Sequence, residues 1–408
     1  MFTSEATLRL RDLLALPKLN VGRLFRAANI QYTYNGRGAL YQLMRSLPAE
    51  KGHTILLPAF HCAVIVESIV RAGYKVQFYN INWDLSVDYD DLYIKLSPDV
   101  AAIVVIHYFG FPAEIAGILA LREKYNCYVV EDWAHSFLNA ETVKLTGENG
   151  DAAVFSFRKL LPTYAGGALR INTNGINCDM SCSRAGLSRS IVILKRLAEE
   201  MVENSQDGIV QRAFRYIEHK RVERKKDRDG STAVQNTWID TSDTSHDDLS
   251  NVKLPWFLKA ILYLSDLRSV ISARQENYRI FHEHLEENKY VRKVLANVPD
   301  HVCPWAYPVW VKNREKYDVQ LRDLGIPVFT FGDVLHPLVY EGDAKLSSSV
   351  EALSKELLML PIHQNLTRNV VRSFCEKINH FFQSLEDVNT SRKQVSSPIG
   401  RNVALCYR

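Results

Sequence analysis

The chain has 408 residues, and its 47% apolar and 24% charged residues are typical of a globular protein that buries a large core. This composition excludes a disordered or collagen-like chain, and the length predicts two or three domains. The 50 Lys and Arg against 46 Asp and Glu leave a net charge of +4, which gives no reason to expect nucleic acid or an anionic membrane as the main partner.

The cysteines and the N-terminus indicate the cellular setting. Seven scattered cysteines argue against a disulfide framework, so we expect reduced thiols and a cytoplasmic location. Cys178 and Cys182 lack a second ligand pair, so no metal site is expected. No run approaches the ~20 apolar residues of a membrane span. Residues 1–29 lack the apolar core of a signal peptide and are predicted to form an N-terminal helical segment.

From residue 38 to residue 172, short apolar strands alternate with helices. The predicted helices cover 38–47, 64–73 and 114–126, and the predicted strands cover 55–60, 75–81, 100–110, 127–132, 151–157 and 167–172. This alternation requires crossover connections and favours an α/β fold with a mostly parallel sheet and helices on both faces. In such sheets ligands bind beyond the carboxyl ends of the strands, so the polar residues that follow each strand are the candidates.

The C-terminal half of the sequence predicts a smaller α/β domain. A helix is expected over 190–222, and the basic stretch 219–229 is interpreted as a solvated helix end or loop. The polar segment 229–251 is interpreted as an exposed connection between domains. Beyond it lie a long helical pattern from 253, strands at 306–311 and 326–331 with a helix at 317–325 between them, and a last helix ending near 385. We therefore predict a large domain at 30–240, a small domain at 250–388 and a disordered tail at 389–408.

Lys159 follows a buried type of strand, in the turn FSFRKLLPTYAGG. Burial disfavours the ammonium form and lowers the pKa, and a neutral amine can form a Schiff base with a carbonyl compound. The alternative is a lysine whose stem packs on apolar surface while its ammonium reaches water.

Three further candidates each have a structural alternative. Asp132 ends the strand CYVVED, where its carboxylate either holds a cationic ring nitrogen or caps the next helix. His135 lies three residues further on, so a helical turn would bring it near Asp132, although a lone histidine is more often structural. Residues 35–38, Asn-Gly-Arg-Gly, precede a helix whose first N–H groups can bind a phosphate, although such turns are also common without a ligand.

Six motifs in this order make the sequence resemble the DegT/StrS family of aminotransferases, which depend on pyridoxal phosphate (PLP). The motifs are GRGAL, LLPAFHC, AGYKVQFYNIN, VIHYFGFPAEI, VVEDWAHS and GDAAVFSFRKLLPTYAGGALRIN. The similarity covers roughly residues 30–385 and is less sharp in the C-terminal half. It implies the aspartate-aminotransferase type of PLP fold and a homodimer.

The resemblance also implies roles at the ring of the cofactor. Lys159 matches the lysine that carries PLP as a Schiff base and then acts as general base. Asp132 matches the aspartate that keeps the pyridine nitrogen protonated, and His135 matches the residue beside the phenolic oxygen. PLP chemistry needs an amine near the aldehyde, an acid at the ring nitrogen and amides at the phosphate, and strand-end loops can supply all three.

Five other residues match positions around the phosphate and the ring face. Arg37 and Gly38 match helix-start residues whose amides hold the phosphate, and Ser156 matches a serine that also contacts it. Cys62 stands where many members carry an aromatic that stacks on the ring, which leaves His61 as the expected substitute.

The sequence departs from the family pattern at three places. Two residues separate Ser156 from Lys159, where typical members have four, so Arg158 is an alternative phosphate ligand. Ala165 replaces the acid that usually precedes the glycine pair, and the asparagine usual near the start of the long helix is not evident.

The resemblance implies transfer of an amino group from an amino acid, glutamate, to a keto group on a nucleotide-linked sugar, in polysaccharide or natural-product biosynthesis. The partners would then be a small-molecule amino donor and a keto acceptor. A sugar dehydratase is an alternative that Lys159 disfavours, because such relatives carry His at that position. A non-catalytic or regulatory protein on the same fold is the other alternative.

Overall fold

The computed structural model describes residues 3–8, 29–48, 52–178, 182–203, 249–341 and 346–395. Two main sheets, one of seven strands and one of three, lie in this part of the chain, which also contains a short two-stranded ribbon. None of the described helices combines the length and the apolar character that a membrane span requires.

The large sheet occupies the N-terminal half. Its strands are β1 (Ile30–Thr33), β2 (Thr54–Pro58), β3 (Lys75–Tyr79), β4 (Val100–Ile106), β5 (Tyr128–Trp133), β8 (Ala152–Ser156) and β9 (Gly167–Ile171). The two-stranded ribbon consists of β6 (Leu138–Asn139) and β7 (Lys144–Leu145), which lie between β5 and β8 in the sequence. The order across the sheet is β1-β9-β8-β5-β4-β2-β3. Strands β3, β2, β4, β5 and β8 run parallel, and β9 pairs antiparallel with β8 and β1.

Helices cover both faces of this sheet. They are α1 (Gly36–Arg45), α2 (Ala63–Arg71), α3 (Tyr89–Lys95), α4 (Ala116–Tyr125) and α5 (Leu187–Glu203). Every residue of β4, VAAIVVI, is buried, as expected for a central parallel strand with both faces covered. Successive β4 side chains enter different cores: Val104 packs in the same core as Leu40 of α1, and Val105 packs in the core on the opposite face.

The small sheet has the order β10-β11-β12 and is antiparallel. Its strands are β10 (Val291–Lys293), β11 (Ala306–Val311) and β12 (Leu357–Pro361). The helices of the C-terminal half are α6 (Trp256–Leu264), α7 (Leu267–His284), α8 (Arg314–Asp323), α9 (Ser348–Glu356) and α10 (Arg368–Val395). Side chains from α7, α8 and α10 form a separate apolar core with this sheet.

The architecture agrees with the predicted fold class, a mostly parallel α/β sheet plus a smaller C-terminal α/β unit. The predicted strand at 326–331 is wrong: Pro327 has no N–H to donate, and Phe329 makes only an isolated bridge to Met359. The long helical pattern from 253 is two helices, because the chain turns after Leu264 and Asp266 caps α7 by accepting the Ser269 N–H at 3.2 Å.

The predicted segment boundaries differ from the structure at three places. Residues 254–271 contribute side chains to the core of the large sheet, although the prediction put them in the small domain. Helix α10 extends to Val395, into the segment predicted to be disordered from 389. Residues 3–8 contain no helix, and the rest of the predicted N-terminal helix from 9 to 28 lies outside the described residues, as do the basic stretch 219–229 and most of the connection after it.

Candidate active site

Four neighbouring parallel strands, β2, β4, β5 and β8, end at one edge of the large sheet. Cys62 follows β2, Asp132 and His135 come at and after the end of β5, and Lys159 follows β8. Because the carboxyl ends of parallel strands meet at one edge, the fold brings these side chains into one region, as the sequence predicts.

Lys159 ends a single 3-10 turn, Phe157–Lys159, directly after β8. Its Nζ lies 4.1 Å from the centre of the Trp305 ring and 5.4 Å from that of Phe331. Burial lowers the pKa of Lys159 to about 8, although electrostatic interactions with Cys62 and Asp132 act in the opposite direction. At pH 7 about one amine in ten is therefore neutral, far more than in an ordinary lysine.

Asp132 is a buried carboxylate, 5% exposed. Its Oδ1 accepts the backbone N–H of Ala134 at 2.8 Å. This is a local hydrogen bond of the type that a capping aspartate makes. Burial raises the pKa of Asp132, while that bond and the charge of Lys159 act to lower it. Among the described residues no Lys or Arg lies within ion-pair distance of this carboxylate, and a cationic ring nitrogen would supply the missing charge.

His135 is 3% exposed and neutral. Its Nδ1 accepts the backbone N–H of Phe109 at 2.9 Å, so the ring proton lies on Nε2. Burial, followed by the positive charge of Lys159, holds the pKa of His135 well below its usual range. The ring is enclosed by Trp305 at 4.6 Å and by the edge-on ring of Phe331 at 4.5 Å. His135 can thus donate one hydrogen bond without carrying charge.

The start of α1 forms the expected phosphate end of the site. A Cβ on Gly36 would lie 3.3 Å from Ser156 Cβ, and a Cβ on Gly167 would lie 2.3 Å from the carbonyl carbon of Asn35. Gly167 therefore has to lack a side chain for α1 to begin this close to β9, and a side chain on Gly36 would be tightly packed against β8. The Ser156 hydroxyl has no hydrogen-bond partner among the described residues, so it is available to a ligand.

One predicted phosphate ligand is already engaged. Asn35 caps α1, and its Oδ1 accepts the Gly38 N–H at 2.7 Å, so a phosphate would compete with Asn35 for this amide, and the role of Gly38 stays a prediction. Arg37 is half-buried on the same first turn, and its carbonyl accepts the Ser68 hydroxyl at 3.4 Å. Arg158, the alternative ligand, has its Nη2 at 4.0 Å from Glu5 Oε1.

Two candidates lie in the loop after β2. Cys62 directly precedes α2 and interacts electrostatically with Lys159. His61 instead stacks on Phe78, with ring centres 5.1 Å apart, and its Nδ1 donates to the carbonyl of Ala59 at 3.0 Å. It makes no ring contact or hydrogen bond with Lys159 or any other candidate among the described residues, and stacking of His61 on a cofactor ring stays a prediction.

Trp305 and Phe331 complete the site from the C-terminal half, and the sequence analysis missed both. Phe331 contacts the rings of Phe60 at 5.3 Å and Tyr108 at 6.3 Å as well as His135. An aromatic residue next to an apolar strand signals ordinary core packing, so nothing in the local pattern distinguishes these two.

The sequence and the fold of this chain are both similar to those of aminotransferases. Residues 23–200 match the DegT/DnrJ/EryC1/StrS aminotransferase family. The match includes Asp132, His135 and Lys159 and confirms the resemblance predicted from the six motifs. A relative from Vibrio cholerae named GDP-perosamine synthase is 28% identical over 143 residues, which are 34% of this chain and 39% of the relative. The chain thus matches about two fifths of the length of the curated relatives.

Solved structures of other proteins are similar in fold to this chain over nearly its whole length. Helicobacter pylori PseC, an aminotransferase involved in the biosynthesis of pseudoaminic acid, is 17% identical with a TM-score of 0.62, covering 94% of this chain and 99% of PseC. The aminotransferase TlmJ from Streptoalloteichus hindustanus is 18% identical with a TM-score of 0.63, and the similarity covers 95% of this chain and 100% of TlmJ. These similarities confirm the predicted fold class, including its C-terminal half.

Proposed function

We propose that this protein is a PLP-dependent transaminase that transfers an amino group from an amino acid, glutamate, to a keto group on a nucleotide-linked sugar. The observation that carries the proposal is the grouping of a low-pKa amine, a buried carboxylate and a neutral N–H donor at one sheet edge: Lys159, Asp132 and His135. The names of the relatives, which include GDP-perosamine synthase, support the nucleotide-sugar acceptor.

The described residues fit PLP well at its ring. When bound, PLP supplies an electron-withdrawing ring that stabilises negative charge on the donor's α-carbon. Asp132 would balance a positive ring nitrogen, since its buried carboxylate lacks a described cation. The Nε2–H of His135 would donate to an oxygen on the ring edge, because its other nitrogen is held by Phe109.

Lys159 would bind the cofactor's aldehyde carbon and then move protons. An amine with a pKa of about 8 takes up and returns a proton readily near neutral pH, which is the requirement for a general base and acid. The rings of Trp305 and Phe331 lie over the amine and lower its access to water, although Lys159 stays partly exposed.

The phosphate end would use Ser156 and the first turn of α1. The hydroxyl of Ser156 lies beside Gly36, at a helix N-terminus where backbone N–H groups favour an anion. Arg37 on that turn would add positive charge. Asn35 would either stay as the cap, leaving the Gly38 amide occupied, or yield that amide to the phosphate.

We further propose a homodimer, a cytoplasmic location and two domains at about 30–240 and 250–388. The dimer is supported by the family resemblance, and the two separate apolar cores support two domains, with 254–271 joining the first core. Sedimentation of the purified protein with PLP would test the dimer, and a single monomer peak would contradict it.

The first experiment tests the link between cofactor and lysine. Purified protein is mixed with PLP, its visible absorbance is recorded, and the adduct is reduced with borohydride and mapped by mass spectrometry. The label is expected on Lys159 and lost in Lys159→Ala. Lys259→Ala is the matched control, since Lys259 also lies over an aromatic ring, Tyr32 at 4.5 Å, and also has a lowered pKa caused by burial. A panel of keto sugars with glutamate then identifies the acceptor.

A non-catalytic protein on the same fold is the second candidate. The occupied Gly38 amide and the short spacing between Ser156 and Lys159 favour it. A colourless wild-type protein that takes up no PLP would establish this candidate and exclude the transaminase.

A further inference from the structure

Arg274 of α7 is a fully buried arginine, 1% exposed, that joins the two halves of the site. Its Nη1 donates to the carbonyls of Trp305 at 2.9 Å and Pro304 at 3.4 Å. Its Nη2 donates to the carbonyls of Lys159 and Leu160, each at 3.2 Å. One guanidinium therefore holds two backbone segments that are far apart in the sequence.

A buried charge without a counter-ion is costly, so its presence needs a reason. Among the described residues no Asp or Glu lies within ion-pair distance of Arg274, and all four of its hydrogen bonds go to carbonyl oxygens. Burial lowers the pKa of Arg274 to about 10, which still leaves it charged at neutral pH. Hydrogen bonds to neutral carbonyls offset only part of the desolvation free energy of such a charge. An apolar side chain of the same volume would carry no such penalty.

The segments that Arg274 holds are those that set the environment of the Lys159 amine. One contains Lys159 itself, and the other contains Trp305, whose ring lies 4.1 Å from Nζ. Gln364 adds a bond from its Nε2 to the Leu160 carbonyl at 3.1 Å, from a third segment. The backbone of the lysine and the backbone of its aromatic cover are thus fixed to a common point.

We propose that Arg274 is a positioning residue, which fixes the Lys159 turn against Trp305 so that the amine stays covered and correctly placed. Its role in transamination rests on the proposed function, but its effect on the amine does not. Without the guanidinium the turn and the ring separate, the amine becomes more hydrated, and the ammonium form is favoured. Each unit by which the pKa of Lys159 rises cuts the neutral amine at pH 7 by about tenfold.

Three variants test this proposal. Arg274→Gln removes the charge and two or more of the bonds, and Arg274→Lys keeps the charge but loses the planar fork. Arg314→Gln is the matched control, because Arg314 is also a buried arginine, 5% exposed, that donates to a carbonyl, that of Leu357 at 2.9 Å. Within the described structure Arg314 makes no hydrogen bond to the Lys159 turn or to the Trp305 segment.

The main readout does not depend on PLP. Competitive acetylation of all lysines at a series of pH values, followed by mass spectrometry, gives the pKa of Lys159 in each variant. PLP affinity from absorbance titration and the midpoint of thermal unfolding are measured in parallel. We expect both Gln variants to unfold at lower temperature, but only Arg274→Gln to raise the pKa of Lys159 by about one unit or more and to weaken PLP binding about tenfold. Arg274→Lys should show a smaller shift in the same direction.

An unchanged pKa of Lys159 in folded Arg274→Gln, or an equal shift in Arg314→Gln, would overturn the proposal. If Arg274→Gln does not fold, Arg274→Lys decides by the same criterion. Wild-type protein that binds no PLP but shows the acetylation shift in Arg274→Gln would contradict the proposed function and leave the positioning role intact.

Discussion

The ring Nδ1 of His135 accepts the backbone N–H of Phe109 at 2.9 Å, and Phe109 presents that N–H from a left-handed backbone with φ of 56°. A bulky residue rarely adopts this conformation, which costs about 1–3 kcal/mol. The Phe109 carbonyl in turn accepts the Trp305 N–H at 2.8 Å. The strained residue thus sets the tautomer of His135 and the position of Trp305 together.

Replacing His135 tests this arrangement. His135→Leu leaves the Phe109 N–H buried without a partner, so the free energy of unfolding should fall by about 1–3 kcal/mol, and the donor to the cofactor is lost. His135→Gln offers both an acceptor and a donor and should recover most of both effects. Urea unfolding and the visible spectrum with PLP are the measurements, and a His135→Leu protein equal to wild type in both would contradict the assignment.

Asp132→Asn keeps the shape of the side chain and removes its negative charge. The amino-donor half-reaction should slow by about 100-fold or more, because the positive ring nitrogen loses its counter-charge. Single-turnover mixing with glutamate measures this rate.

The neighbouring Glu131 supplies the control for that variant. Glu131 is also buried, but it accepts bonds from His107 at 3.1 Å, Trp133 at 3.0 Å and Gly150 at 2.7 Å. Burial alone would raise the pKa of Glu131, yet the hydrogen bonds from His107, Gly150 and Trp133 bring it below its usual value. Glu131→Gln should therefore reduce stability and leave the half-reaction rate of folded protein close to wild type. A slow half-reaction in Glu131→Gln with a nearly normal one in Asp132→Asn would instead assign the ring nitrogen to Glu131.

Gly167→Ala should disturb the phosphate end selectively. The new Cβ would lie 2.3 Å from the Asn35 carbonyl carbon, so the start of α1 must move away from Ser156, at a cost of about 1–3 kcal/mol in stability. PLP affinity should fall, whereas the affinity for pyridoxal, which lacks the phosphate, should change little. Gly73→Ala, at a position where nothing lies within 4 Å but a φ of 96° strains any side chain, controls for a loss of stability away from the phosphate end. Equal losses for PLP and pyridoxal would refute the placement of the phosphate.

The buried His61 predicts how stability depends on pH. Burial lowers the pKa of His61 from 6.5 to about 4, despite hydrogen bonds to the carbonyls of Pro58 and Ala59. Between these values the unfolded chain binds a proton that the folded protein does not, so stability is lost as pH falls from about 6.5 to 4. The loss amounts to about 3 kcal/mol.

Urea unfolding of wild type and His61→Gln at pH 7 and pH 4.5 measures this contribution. The glutamine side chain in the variant does not titrate, so the difference in stability between the two pH values should shrink by most of that amount. The same pH difference in both proteins would show that other groups account for the acid sensitivity.

Sequence reasoning reached Lys159, Asp132 and His135 because the order of motifs assigns them to neighbouring strand ends. It did not reach Trp305, Phe331 or Arg274, because their contacts with the site come from elements more than 100 residues away, and locally they resemble ordinary core residues.

Two other differences between the predictions and the structure were indicated by a neighbouring residue in the sequence. Asparagine is a favoured N-cap, so Asn35 before a helix indicated that its side chain would take the Gly38 N–H. Pro327 similarly argued against the strand predicted at 326–331. The position of the His61 ring had no such signal, since its stacking on Phe78 depends on how β2 and β3 pack together.

The bond from Arg274 to Lys159 has a consequence for the order of biosynthesis. The described strands of the large sheet have all been translated by Ile171, but Arg274 follows Lys159 by 115 residues and Gln364 follows Leu160 by 204. At about 5–20 residues per second, the ribosome needs roughly 6–23 s to reach the first of them. Until then the lysine has neither its guanidinium anchor nor its tryptophan cover, and its amine remains hydrated and charged. The surroundings that lower the pKa of Lys159 are therefore complete only when the C-terminal half has folded onto the large sheet.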